Sequence, residues 1–320
     1  MGKKFFMKTD HPAATRQPVS GGEKTRACTF FLPAFRKYDP TFFPGRGTCG
    51  TLAVSVTGPD CRLRCQHCGG RILENMRPAV TPEALWQEAR QVAAQGRKSL
   101  LVSGGARADG TVPLELFIPV LKRIRSETKL KILVHTGLVS PALADGLAEA
   151  GIDAALIDII GHADTIRQVY HLSLSVGDYE TSLRLLTERG LPTAPHVVLG
   201  LHFGRFLGED RALEMIGKYP VKAVVLVGFR PLPGTAMAGC LPPAPEEFGA
   251  FFEKARGLFP QTPVVLGCER PLGRHRRETE RLALEAGLDG IAFPLERTLA
   301  RAAALNLETG FQEDCCALIA

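Results

Sequence analysis

The sequence predicts an α/β fold, a (βα)8 TIM-type barrel, and three observations lead there. From Thr51 onward, short apolar runs alternate with helical segments at a period of about 30 residues, the mark of repeated βα units. Several of the helices open with cap chemistry and end at glycine, so the period is punctuated where such units require it. The chain is 320 residues long, 45% hydrophobic and 22% charged, enough to bury a large core in one barrel domain.

Taken in order, residues 1–50 carry little periodicity. Lys3, Lys4, Lys8 and several Pro and Gly residues predict a loose N-terminal arm. Phe30, Phe31, Phe42 and Phe43 are too apolar for a disordered tail and predict that this arm packs on the barrel as a plug or lid edge. Strands are predicted at 51–57, 99–103, 131–136, 154–160, 196–201, 223–229, 263–267 and 290–293. Thr81, Pro82 and Glu83 open a helix that Gly96 closes, and Ser140-Pro141 opens another that runs to Gly151. Further helices are expected near 165–172, 179–189, 246–258, 276–286 and 296–305. The organisation is thus an arm over 1–50, a barrel over 51–294, and a helix and tail over 295–320 that ends in Cys315, Cys316 and four apolar residues.

No apolar run is long enough for a membrane span, and Met1–Asp10 lacks a signal-peptide core. Nine cysteines without secretory features predict a cytoplasmic protein whose thiols serve metals rather than disulfides. A net charge of +6 permits an acidic partner without the dense basic patterning of a nucleic-acid binder.

The most informative stretch is Cys61-Arg62-Leu63-Arg64-Cys65-Gln66-His67-Cys68, just after the first strand. Three thiols on one short loop can face a common centre, and a 4Fe–4S cluster held by three cysteines leaves one iron open for chemistry. Structural zinc would want four ligands, commonly as two separated pairs, and no second pair of that kind is present. His67, wedged between two cysteines, is poorly placed to be a fourth ligand. At these residues the chain resembles the radical S-adenosylmethionine (SAM) enzymes, with His67 in the place of the planar residue before the last cysteine. The resemblance implies a cluster on Cys61, Cys65 and Cys68 whose open iron chelates SAM. It implies reductive cleavage of SAM to methionine and a 5′-deoxyadenosyl radical, fed by an electron donor such as ferredoxin or flavodoxin.

In a barrel of this kind catalytic groups collect where the strands end. There the sequence offers Gly104-Gly105, His135, Asp158, Gly200, His202, Arg230 and the Pro231–Thr235 turn. The resemblance implies that Gly104 and Gly105 meet the amino group of SAM; otherwise the pair is a turn. Asp158, a carboxylate inside an apolar strand, either touches ribose or substrate or forms a salt bridge within the barrel. His135 and His202 are read as hydrogen-bonded wall residues that could also line the pocket. Gly200 and the Pro231–Thr235 turn, with Arg230 before it, match turns that shape the adenosine side in biotin-synthase-like relatives.

The runs Leu266–Gly273 and Ala286–Pro294 and the terminal Cys315-Cys316 resemble the biotin-synthase-like branch, and most of all one component of the two-protein lipoyl synthases. That implies an auxiliary iron–sulfur cluster on Cys268, Cys315 and Cys316, with a tail folding over the barrel mouth. Cys28, Cys240, another residue or an inorganic group would complete it. Packing thiols or a redox pair are the alternative. The implied reaction is sulfur insertion at an unactivated C–H bond of an octanoyl group on a lipoyl-carrier protein, together with a second radical SAM subunit. A radical SAM mutase, lyase or cofactor maturase without sulfur insertion is the runner-up, and an electron carrier the third reading. Arg270, Arg274, Arg276, Arg277 and Arg281 are expected to form a basic rim that steers an acidic carrier.

Overall fold

The computed structural model describes residues 26–32 and 50–319. Its strands are β1 (Ala27–Phe31), β2 (Thr51–Ser55), β3 (Arg77–Pro78), β4 (Ser99–Ser103), β5 (Lys131–His135), β6 (Ala154–Asp158), β7 (Thr193–Leu199), β8 (Val224–Gly228), β9 (Val264–Leu266), β10 (Gly290–Ala292) and β11 (Glu308–Gln312). The helices are α1 (Pro82–Ala94), α2 (Ile118–Glu127), α3 (Pro141–Ala150), α4 (Ala163–Tyr170), α5 (Val176–Glu188), α6 (Glu209–Ile216), α7 (Pro245–Leu258), α8 (Gly273–Ala286) and α9 (Glu296–Ala304). Thr81 and Ser140 cap α1 and α3 as expected, accepting the N–H groups of Ala84 at 3.1 Å and Leu143 at 3.2 Å, with Pro82 and Pro141 in the first turn.

All pairings between these strands are parallel, in the order β11-β1-β10-β9-β8-β7-β6-β5-β4-β2-β3. The eight expected strands are all present and consecutive in this order. The complete eight-stranded barrel is not. Among the described residues β10 does not pair with β2; β1 and β11 stand beyond β10 instead, so the sheet curls into a partial barrel of 11 strands. The final turn of the curl is held by side chains. Asp314 meets Lys131 at 3.2 Å and Ser99 at 3.4 Å, and Glu313 meets Lys98 at 3.1 Å. Gly50 lies so close to the Glu313 carbonyl that a Cβ there would stand 2.1 Å from it.

Alternation along each strand divides the core in two. Val54, Val102, Val134 and Ile157 face outward against the helices. Leu133, Leu156, Ala194, Val225, Val265 and Ala292 face inward and fill the barrel. Two expectations change here. The arm contributes a real strand, β1, whose Phe30 packs outward and Phe31 inward; the predictions for Phe42 and Phe43 fall outside the described residues. The tail does not fold over the mouth. Residues Glu313 and Asp314 contact the N-terminal ends of β4 and β5, and Cys316–Ile319 then pack among the inward-facing residues as a plug from below.

Candidate active site inside the barrel

The cysteine loop is built by its neighbours. Thr57 just beyond β2 accepts the Gly105 N–H at 2.7 Å and donates to the Asp60 carbonyl at 2.8 Å, while the Arg62 N–H reaches the Ala106 carbonyl at 2.8 Å. A Cβ on Gly105 would come within 1.8 Å of the Asp60 carbonyl oxygen, so only glycine allows this approach. The Gly105 N–H is therefore committed to the loop. On the other side, the Gln66 N–H reaches the Val169 carbonyl at the end of α4, and the Arg71 guanidinium donates to the Pro233 carbonyl, both at 2.8 Å. The Pro231–Thr235 turn thus braces the loop, and Gly234 is where Arg71 crosses it.

Cys65 and Cys68 are buried and Cys61 half-buried. The ligand atoms of Cys65, His67 and Cys68 lie within 4.8 Å of one another, so the His67 ring stands among the thiols rather than apart from them. Its Nδ1 is buried without a hydrogen-bond partner. The Cys68 thiol is drawn down to about 4, first by a hydrogen bond from Cys65 and, against the effect of burial, by His67. Cys65 is pushed far up by the same contact. A soft three-thiol donor set with one member already inclined to thiolate fits an iron–sulfur cluster.

Facing this loop are His135 at the end of β5, Asp158 at the end of β6 and His196 in β7. Their ligand atoms also lie within 4.8 Å of one another. His135 Nε2 and Asp158 Oδ1 are 3.6 Å apart, and their side chains are 29% and 33% exposed although protein encloses them, so they line an internal cavity. Burial would raise the Asp158 carboxyl, but His135, His196 and His67 hold it below its ordinary value. Burial lowers His135 while Asp158 more than offsets this, leaving it raised. Burial and the neighbouring His135 push His196 down to about 4. Tyr170 packs on His67 with ring centroids 5.4 Å apart. Tyr170 and Tyr179 are both raised, chiefly by burial, with Asp158 and Cys65 contributing. Asp158 is the acid that links the cysteine loop to the histidine pair, and it makes no ion pair to Arg or Lys among the described residues.

The remaining predicted residues divide. Cys268 follows β9 and is exposed, while the mass of protein around its thiol raises it to about 12, with Glu269 and Cys315 adding to the rise. Cys315 is lowered by a hydrogen bond with the Cys316 thiol, against the effect of burial, and His135 adds to the fall. Cys316 is raised well above the ordinary thiol range by the same hydrogen bond with Cys315 and by burial, with Cys268 adding a smaller part. Cys28 is buried in the outer core and Cys240 packs against that same core, so neither stands with these thiols. Gly200 turns the chain after β7 with φ of 77°; its N–H binds Glu209 at 2.9 Å and it abuts Pro243. His202 is a wall residue, bonded through Nδ1 to the Thr165 hydroxyl at 3.2 Å. Arg230 pairs with Glu269 at 2.7 Å, beside Cys268.

Of the expected basic rim only Arg274, which is exposed, and the half-buried Arg277 keep that character. Arg270 is fully buried and donates to the Gly267 carbonyl, to Glu280 at 2.8 Å and to the Ala292 carbonyl. Arg276, also buried, meets Glu280 at 2.7 Å and the Phe293 carbonyl. Arg281 is occupied by Glu278 and Glu285. Arg277 lines a recess of ≈ 330 Å³ with Leu272, Gly273, Arg276, Leu295 and Arg297.

Sequence reading missed His196, Tyr170 and Tyr179. A histidine inside an apolar strand at the inward parity of Ala194 and Val198 was a usable signal; Tyr170, at the end of α4, packs on His67 from a helix and gave none, and Tyr179 lies in the outer core.

A curled parallel sheet with a three-thiol loop after its first barrel strand defines a radical SAM type of enzyme. The family model of the Radical SAM superfamily matches residues 55–217, a little over half of the chain, which therefore belongs to that superfamily. A biotin synthase from Desulforudis audaxviator is 26% identical over 272 residues, covering 83% of this chain and 81% of that protein. Another, from Syntrophotalea carbinolica, is 26% identical over 220 residues, 65% of this chain and 63% of its own. Of solved structures, methylornithine synthase shares the fold with a TM-score of 0.56 at 15% identity, over 76% of this chain and 70% of that one. The [FeFe]-hydrogenase maturase HydG does so with 0.59 at 16%, over 83% and 57%. The protein is a radical SAM enzyme with distant biotin-synthase-like relatives; these relatives do not carry the closer likeness to split lipoyl synthases. No helix among the described residues is long and apolar enough to cross a membrane.

Proposed function

We propose that this enzyme inserts sulfur at an unactivated C–H bond, and that its acceptor is an octanoyl group on a lipoyl-carrier protein, served jointly with a second radical SAM subunit. What supports sulfur insertion is that Cys268, after β9, and Cys315-Cys316, in the tail that enters the barrel from below, are near enough for Cys315 to raise the Cys268 thiol and for Cys268 to raise that of Cys316. Likeness to biotin synthases, whose product is a sulfur heterocycle, supports the same direction. The octanoyl acceptor and the partner subunit rest on the resemblance of the C-terminal runs alone.

In this reading Cys61, Cys65 and Cys68 hold a 4Fe–4S cluster that leaves one iron for SAM, and the auxiliary thiols hold a second iron–sulfur cluster as sulfur donor. When bound, the first cluster and SAM supply hydrogen abstraction from an unactivated carbon. The chain's own contribution is placement and exclusion of water. Thr57, Gly105 and Arg71 fix the loop. Tyr170 packs on His67 beside the loop, and the tail closes the barrel from below, so acceptor and donor are confined together.

The test is anaerobic incubation with SAM, reductant, partner subunit and an octanoylated carrier peptide, in parallel with a biotin precursor. Deoxyadenosine together with a mass gain of sulfur in the carrier peptide supports the full reading, and a gain in the biotin precursor alone keeps sulfur insertion and overturns the acceptor. Deoxyadenosine without any thiolated product, both clusters intact, assigns a mutase, lyase or maturase. No deoxyadenosine at all, with both clusters intact, overturns the reading.

A further inference from the structure

We propose that His135, Asp158 and His196 form a mononuclear site for a divalent first-row transition ion, distinct from any site on the cysteines. The three residues stand on the adjacent strands β5, β6 and β7 at inward positions, and their ligand atoms lie within 4.8 Å of one another. Two imidazoles and one carboxylate are a donor set suited to Fe(II), Zn(II) or Co(II).

His135 Nε2 and Asp158 Oδ1 are 3.6 Å apart, the spacing of a His–Asp ion pair, so two of the three donors already face each other. Ligand atoms bound at about 2.1 Å around a tetrahedral ion stand roughly 3.4 Å apart, so atoms that now all lie within 4.8 Å of one another would draw inward to complete the site. The tautomer of His196 is already set. Its Nδ1 lies 3.0 Å from the Ala194 carbonyl, which can only accept, so Nδ1 carries the proton and Nε2 is left as a lone-pair donor. An outer hydrogen bond of this kind orients a metal-binding histidine and fixes its free nitrogen. A lone pair beside a carboxylate, enclosed in protein, is an arrangement that a cation satisfies. Three protein ligands leave a position open toward the cavity, where an anionic group of the substrate can bind. The inference does not depend on sulfur insertion, since it uses none of the cysteines.

The experiment removes those cysteines as competing ligands. Full-length protein carrying Ala at Cys61, Cys65, Cys68, Cys268, Cys315 and Cys316 is stripped with chelator and titrated anaerobically with Co(II) alone, following its visible ligand-field bands and bound metal. The expected result is one ion per chain, with affinity reduced at least tenfold by His196→Ala and by Asp158→Asn. His135→Gln provides a third variant of similar volume, and circular dichroism verifies folding of each. No Co(II) binding by the folded six-alanine protein would overturn the assignment, as would binding that all three further variants retain. Should the six-alanine protein fail to fold, the same titration on the Cys61, Cys65 and Cys68 triple variant, read against its His196→Ala derivative, decides the question. Loss of the His196-dependent ion supports the site, and equal binding overturns it.

Discussion

Replacing Glu280 with Ala should destabilise the protein more than any surface change nearby. The Glu280 side chain is 0% exposed and that of Arg270 1%. The carboxylate takes Arg270 at 2.8 Å and Arg276 at 2.7 Å, and its other oxygen accepts the Leu295 N–H at 2.8 Å and the Thr298 hydroxyl. Removing it leaves two buried guanidiniums without a counter-charge. Breaking one buried pair costs about 3–5 kcal/mol, and the two orphaned neutral donors add about 1 kcal/mol each. A loss near 5 kcal/mol corresponds to a fall in Tm of about 10 °C for a chain of this size, at roughly 2 °C per kcal/mol. Glu280→Gln, which keeps acceptor geometry but not charge, should lose about 3 kcal/mol. The assay is thermal and urea unfolding of the reconstituted protein by circular dichroism, with Arg277→Ala as a control expected to stay within about 0.5 kcal/mol. The pH dependence has a definite sign. Arg270, against the effect of burial, holds the Glu280 carboxyl below its ordinary 4.5, so its stabilisation is complete above that pH and fades as pH falls through the depressed value. The Ala variant should therefore show a flatter loss of stability in acid. A Glu280→Ala protein within about 1 kcal/mol of the parent would refute the account of this network.

Three further outcomes are expected. Gly105→Ala drives a Cβ into the Asp60 carbonyl and should cut iron incorporation at the cysteine loop several-fold, whereas Gly239→Ala, with nothing within 4 Å, should leave it unchanged; iron analysis after reconstitution decides. The triple variant of Cys61, Cys65 and Cys68 to Ala should lose SAM cleavage yet retain acid-labile sulfide, because a mononuclear ion carries none and only an auxiliary cluster accounts for it. Asp314→Ala frees the tail from Lys131 and Ser99 at a cost of about 1 kcal/mol and should speed alkylation of the buried Cys316.

The eight barrel strands were legible because each is an apolar run bounded by cap and turn residues. What escaped was whatever depends on pairing at a distance. Ala27–Phe31 lies in a segment without helical or strand periodicity, and its neighbours are β10 and β11 from the far end of the chain. Glu308–Gln312 is a polar, mostly exposed edge strand with no apolar pattern to find. The arginines after β9 read as a charged surface because Glu280, which neutralises two of them, sits among them looking like one more helix charge. At the site, the thiol loop announced itself by spacing. The tail's route into the barrel from below did not, since it is fixed by Asp314 meeting residues 183 and 215 positions away.

Passage of sulfur from this protein to carbon can be followed directly. The direct measurement is a single turnover of enzyme whose clusters were rebuilt with isotopically heavy sulfide, given SAM, reductant, partner subunit and octanoylated carrier peptide, with the product read by mass spectrometry. The account predicts heavy sulfur in the peptide, and none when Cys268, Cys315 and Cys316 are Ala although SAM is still cleaved. Thiolated peptide carrying only light sulfur, or equal labelling from that triple variant, would contradict it.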